Sequence, residues 1–206
     1  MSPRTPPVGR EATDDTQAAR DTEPRPPAYL PLAAEIVGVE KGWQRLEGIE
    51  ASIGMAVTAV GSHPRVAPFL PAEACIALST DADVRILNRA WRAKDRPTNV
   101  LSFPTPPGQA VADGVPPFVG DVVLALETIL AEAADLEIPV RNHVQHLVVH
   151  GLLHLFGFDH EEASMAREME TIETQVLASI AVPDPYAGTE PEDSSRISGQ
   201  PHQAQR

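Results

Sequence analysis

His150-Gly151-Leu152-Leu153-His154-Leu155-Phe156-Gly157-Phe158-Asp159-His160 is the stretch around which the rest of this chain has to be arranged. Five of the seven histidines fall between His143 and His160, so metal-binding chemistry is concentrated in one short segment. Residues four apart on an α-helix stack on one face, so His150 and His154 can offer two imidazoles to a single ion. His160 joins them only if the helix stops, because six more helical residues would carry it roughly 9 Å along the axis and to the opposite face. Gly157 stands where a left-handed residue would end such a helix, and the chain can then return through Phe158 and Asp159. Three imidazoles with a fourth position open are the ligand set of a catalytic zinc, whereas a structural zinc is closed by four protein ligands. One zinc ion per chain is the expectation; nickel or another first-row ion is also acceptable to imidazole.

A lone histidine on an apolar helix face is usually a satisfied core residue, but three at this spacing, with a helix stop between them, read as ligands. His143 and His146 compete for the role, since His146, His150 and His154 also recur every four residues. Three successive turns of one straight helix spread their side chains too far for tetrahedral geometry, so His146 is expected to line the site. Asp159 is expected to form the turn or to orient a ligand imidazole.

The 206 residues suit one domain with tails: residues 1–28 and 187–206 are expected to be disordered, and 29–186 to form the folded unit. The first of these tails is rich in Pro, Thr, Asp and Arg and has scarcely any large apolar side chain. The single cysteine, Cys75, cannot form an intramolecular disulfide, and it is read as a buried, inert thiol suited to a reducing cytoplasm. No apolar run reaches membrane-spanning length and no hydrophobic signal stretch opens the chain, so a soluble cytoplasmic protein is expected. The formal net charge of −13 opposes nucleic-acid binding unless a positive patch overrides it locally. Arg85, Arg89, Arg92, Lys94 and Arg96 supply one, opposed only by Asp95.

Periodicity predicts a strand over Leu32 to Val39, a helix from Gln44 to Val60, and a buried strand over Ala74 to Leu78. Thr80 then caps a helix, with Asp83 three residues on; it carries Val84, Leu87 and Trp91 on one face and ends near Lys94. Asn99 to Phe103 reads as a strand, Pro104 to Pro117 as a loop, and Asp121 to Leu126 as a strand that runs into a helix near Glu127. Pro139 suits the first turn of the histidine-bearing helix. The last helix places Met165, Met169, Ile172, Val176 and Ile180 on a core stripe, with Glu168, Glu170 and Glu173 expected to face solvent, and ends at Pro183. The fold class expected is α+β: a small mixed sheet packed with about five helices, one of which bears the metal site.

The run Leu87-Asn88-Arg89-Ala90-Trp91-Arg92-Ala93-Lys94-Asp95-Arg96-Pro97-Thr98-Asn99-Val100-Leu101-Ser102-Phe103 is a basic helix end, a proline-stiffened turn and a strand. A guanidinium can grip a phosphate bidentately and stabilise charge that develops on it. Together with His150 to His160, this run resembles the YbeY family of bacterial endoribonucleases. The two stretches match the family patterns H-G-x-L-H-L-x-G-[YF]-D-H and L-N-x-x-[YW]-R-x-K-D-x-P-T-[DN]-V-L-S-F. Gly120-Asp121 and Asp184-Pro185-Tyr186 also fit, and the similarity spans roughly residues 32 to 186.

The resemblance implies a single-strand-specific, metal-dependent endoribonuclease acting in ribosomal RNA maturation and ribosome quality control. It implies His150, His154 and His160 as zinc ligands and Arg92 as the functional arginine; the basic patch itself adds Arg89, Lys94 and Arg96 as expected RNA contacts. It also implies the small ribosomal subunit and its proteins as partners, alongside single-stranded RNA and rRNA, and no membrane. The general base is left open, as is the choice between water and the ribose 2′-hydroxyl as nucleophile. Two other readings stand beside it. One is a non-catalytic ribosome assembly factor with a structural metal. The other is a zinc metallopeptidase, which is disfavoured because the glutamate base of that motif is here Gly151.

Overall fold

The computed structural model describes residues 32–39, 42–106, 108, 114–160 and 162–187, so the two expected tails, Ala187 apart, lie outside the described residues. Four strands form one sheet: β1 (Leu32–Val37), β2 (Ala72–Ser79), β3 (Val100–Pro104) and β4 (Phe118–Ala125). Their order is β1-β2-β4-β3, with β1 and β4 parallel to β2 and β3 antiparallel to β4, so β3 is an edge strand. Five α-helices accompany the sheet among the described residues: α1 (Ile49–Gly61), α2 (Asp81–Arg92), α3 (Leu126–Asp135), α4 (Val140–Leu155) and α5 (Ala163–Ser179). The expected α+β class with a mixed sheet is what the chain adopts.

Strand alternation divides the sheet into two faces. Ala72, Ala74, Ile76 and Leu78 of β2, with Val122 and Leu124 of β4, point into the main core, which α1, α3, α4 and α5 close. Leu101, Val123 and Ala125 point the other way and pack with Val84 of α2 in a second, smaller cluster. The two clusters explain the difference in character between the helices. α2 buries only Val84 and Asn88, whereas α4 buries residues on nearly every side because it is enclosed by α1, α3, α5 and the sheet.

Three expectations need correction. The helix predicted from Gln44 is two pieces: a 3-10 turn over Trp43–Arg45, then α1 from Ile49, separated by Gly48 at φ +71°, which no α-helix can contain. Trp91 does not join the buried face of α2, because it projects beyond the sheet edge and is 73% exposed. Cys75 is half-buried, not buried; burial and the adjacent Asp121 push its thiol up to about 11, so it is protonated at neutral pH, in keeping with an unreactive thiol.

Helix α4 meets the sheet at Gly151. A Cβ built there would lie 2.6 Å from Cγ1 of Val122 and 3.2 Å from Ser102 Oγ. The hydroxyl of Ser102 donates to the Gly151 carbonyl at 3.1 Å, so helix and strand are joined at the point of closest approach. Alanine gains about 1 kcal/mol in helix propensity over glycine, but overpacking against a buried β-branched neighbour costs about 1–3 kcal/mol. Gly151→Ala is therefore expected to lower stability by about 1 kcal/mol or more in urea denaturation, and Val122→Ala in the same chain should recover part of the loss. An undiminished unfolding midpoint in the single variant would refute the close approach.

Candidate metal centre and cleft

The segment from His150 to His160 begins inside α4 and ends beyond it. Gly157 adopts φ +84°, its N–H donates to the His154 carbonyl at 3.0 Å, and the Phe158 N–H donates to the Leu153 carbonyl at 3.1 Å. These two bonds are the paired contacts of a Schellman ending, in which a left-handed glycine turns the chain away from the helix axis. Phe156 and Phe158 hold the turn in place by packing near Phe69, at ring distances of 5.8 and 6.5 Å. Asp159 then accepts the His160 backbone N–H at 2.7 Å.

The reversal brings the imidazoles of His150, His154 and His160 together, with one ligand nitrogen from each lying within 4.8 Å of the others. The Nε2 atoms of His150 and His154 are 3.2 Å apart. Nitrogens sharing one tetrahedral zinc at about 2.05 Å stand roughly 3.3 Å apart, so this pair already has the spacing of two ligands. Burial, followed by the nearby His150 and His160, lowers His154 to about 4, which keeps its ring neutral and its lone pair available at physiological pH. The three side chains could hold a metal ion.

The residue that sequence reasoning misplaced is Glu173. It was expected on the solvated face of the last helix, but it is 0% exposed. His150 Nδ1–H donates to its Oε1 at 2.7 Å, and the Tyr186 hydroxyl donates to Oε2 in a close contact. Burial alone would raise the Glu173 pKa, yet the bonds from His150 and Tyr186 and the field of His150 bring it below the ordinary carboxylate value. A carboxylate on Nδ1 fixes the tautomer whose Nε2 lone pair faces the other two histidines, as in the carboxylate–histidine–metal arrangement of metalloproteins. The signal was present in the sequence: Glu173 lies four residues after Met169 and three before Val176, so it falls on the apolar stripe itself. Tyr186 reaches it because Val182 N–H closes the end of α5 on the Leu177 carbonyl and Asp184 accepts the Tyr186 N–H at 2.9 Å.

His143 and His146 stand apart from the three. His143 donates from Nε2 to Glu132 at 2.7 Å, and Glu132 also accepts from the Asn99 amide at 2.9 Å. His146 packs between the rings of Tyr186 and His150, and burial lowers it to about 4. Asp159 Oδ1 is 3.9 Å from His154 Nδ1, beyond hydrogen-bond range.

A cleft of about 490 Å³ opens over the histidines. His150, His154, Gly157, Phe158, Asp159 and His160 form one wall, and Arg92, Thr98, Asn99, Val100, Ser102 and Pro104 the other. Arg92 is exposed at the end of α2. Of the remaining basic residues, Arg85 is held by Asp95 in a two-pronged pair at 2.8 and 2.9 Å. Arg89 lines a separate depression with Arg85 and Ile86, and Lys94 and Arg96 are exposed outside the cleft lining. Asn88, buried and unremarked in the sequence, donates to the Arg96 carbonyl at 2.7 Å and so pins the basic turn to α2.

Glu173→Gln can turn its amide toward His150 Nδ1 and favour the wrong tautomer. Zinc affinity, measured by competition with a chromogenic chelator, is expected to fall about 10- to 100-fold; unchanged affinity would remove Glu173 from the site.

Residues 46–181 match the family described as Endoribonuclease YbeY. A protein of that name from Rhodopseudomonas palustris (strain BisA53) is 42% identical over 171 residues, which cover 82% of this chain and 99% of that protein. Another from Rhodospirillum rubrum is 44% identical over 181 residues, covering 82% of this chain and 90% of that protein. A solution structure from Thermotoga maritima is similar at 22% identity and a TM-score of 0.43, covering 77% of this chain and 98% of the other. By the extent of these matches, this chain belongs to the YbeY endoribonuclease family.

Proposed function

We propose that this protein is a zinc-dependent endoribonuclease that cleaves single-stranded RNA in ribosomal RNA maturation and ribosome quality control. The observation that carries the reading is one cleft holding three convergent imidazoles on one wall and Arg92 on the other. His150, His154 and His160 would be the metal ligands. A zinc held there supplies Lewis acidity toward a phosphoryl oxygen and activation of water at neutral pH. The family to which the chain belongs is described as an endoribonuclease, which supports RNA as the substrate.

The protein's own groups have separable tasks. Glu173 holds His150 in one tautomer, and Tyr186 holds Glu173. Arg92 grips a phosphate oxygen and offsets negative charge as it grows in the transition state. Arg89, Lys94 and Arg96 attract the flanking phosphates, a role that matters in a chain whose net charge is −13. His146 supports the site from behind, packed on the ring of His150. Asp159 shapes the turn that presents His160. Single-stranded substrates suit a cleft lined by an edge strand and a helix end, since an unpaired strand can bend into it.

The small ribosomal subunit is the proposed partner, approached through basic ribosomal proteins that complement the acidic surface. A cytoplasmic setting accords with that partner, and no described helix is long and apolar enough to cross a membrane. A scaffold with a structural metal is the weaker reading, because the metal-competent group holds three side chains among the described residues and a closed structural site needs four. A zincin-type peptidase is weaker still. The position its glutamate base would need is Gly151, whose Cβ direction points at Val122 of the sheet.

An RNase assay on purified protein, with and without chelator, tests the reading. Cleavage of single-stranded RNA should require the metal, and duplex RNA should resist. His154→Ala is expected to lose the ion by elemental analysis, and full zinc occupancy would contradict the ligand assignment. Arg92→Glu should keep the ion while kcat/KM falls by at least about 100-fold; wild-type turnover would remove Arg92 from the mechanism.

A further inference from the structure

Two tryptophans occur in the chain, and their settings are opposite. Trp43 is completely buried, with its indole N–H donating to the Ser79 carbonyl at 2.8 Å. Trp91 is 73% exposed, the largest exposure of any big apolar side chain described. An indole this exposed keeps most of its surface available to a ligand. Among the described residues its ring contact is with Phe103 of β3, at a centroid distance of 5.7 Å and an interplanar angle of 63°. That edge-type contact, in a residue 73% exposed, leaves much of the indole open to solvent.

The surroundings say what the open face would meet. Arg92 follows Trp91 in sequence and lines the cleft, as do Ser102 and Pro104, whereas Phe103 between them packs with the α2-side cluster on the other face of β3. Arg89, Lys94 and Arg96 are exposed nearby in the chain, and among the described residues no ion pair engages Arg92, Lys94 or Arg96. Arg85 is the member of the cluster neutralised by Asp95. An exposed aromatic face set among free cations, in an otherwise acidic protein, is the combination by which single strands are held: cations follow the phosphates and the ring stacks a base.

We propose that Trp91 is a stacking platform for one nucleobase of single-stranded RNA, positioned so that the adjoining phosphate reaches Arg92. This rests on the endoribonuclease reading and adds to it a base-binding position outside the metal centre. Stacking on a π face is tolerant of base identity, so the platform selects unpaired bases without reading their sequence.

Tryptophan fluorescence tests it directly, because Trp43 is shielded and Trp91 is the reporter. Chelator-treated protein is titrated with a ten-nucleotide 2′-O-methyl RNA, which cannot be cleaved through its 2′ position, and with an abasic oligonucleotide of equal length and charge. The base-bearing strand should quench Trp91, whereas the abasic strand should bind more weakly and leave the emission unchanged. Trp91→Ala should weaken binding of the base-bearing strand by about 5- to 100-fold with no change for the abasic strand, and Trp91→Phe should recover most of it. Trp91 is exposed, so Trp91→Ala should keep the wild-type melting temperature. Equal affinities for wild type and Trp91→Ala, or the same loss with the abasic strand, overturns the platform. Cleavage by the zinc-loaded wild type is scored separately. Cleavage without quenching sinks the platform alone, and quenching without cleavage upholds it while sinking the nuclease.

Discussion

Gly157 sits at φ +84°, and the geometry of the metal centre follows from the turn made there. Two imidazoles come from the face of a helix, where their spacing is set by the helical repeat. The third must leave that helix and come back, and the backbone can do so within three residues only through a conformation that side chains with a Cβ rarely adopt. The two hydrogen bonds that close the helix and the packing of Phe156 and Phe158 near Phe69 fix the direction of return. His160 therefore arrives at its partners as a consequence of how α4 ends.

Where α4 lies is settled by a second glycine. At Gly151 the helix rests on Val122 closely enough to exclude even a methyl group, and Ser102 ties the two together. This seating lowers His150 and His154 to the level of the edge strand, so that the strand and the end of α2 can form the opposite wall of the cleft. Arg92 and the histidines are far apart in the chain and share one cavity for that reason.

Electrostatics completes the arrangement from behind. A fully buried carboxylate is costly, by several kcal/mol for an unpaired charge, and Glu173 is tolerated because His150 and Tyr186 each donate to it. The same two bonds orient the imidazole, so the compensation that makes the buried charge stable also prepares the ligand. Tyr186 comes from the segment after α5, which makes the last described residues part of the centre.

Local rules carried much of this into the amino-acid order. The i, i+4 histidines, the stop at Gly157, the Thr80 cap and the apolar runs of β2 and β4 are each decided by a few neighbouring residues, and each reads directly from the chain. The YbeY-like motifs were legible for the same reason. Packing decided the rest. Glu173 reads as a solvated acid until α4 is laid beside α5 and its stripe position becomes an interior one. Trp91 reads as a companion of Val84 and Leu87 on one helix face, yet in the fold its ring meets Phe103 of the edge strand and stays 73% exposed. Burial is a property of what surrounds a residue, so sequence could group the three histidines but not find the carboxylate that orients one of them.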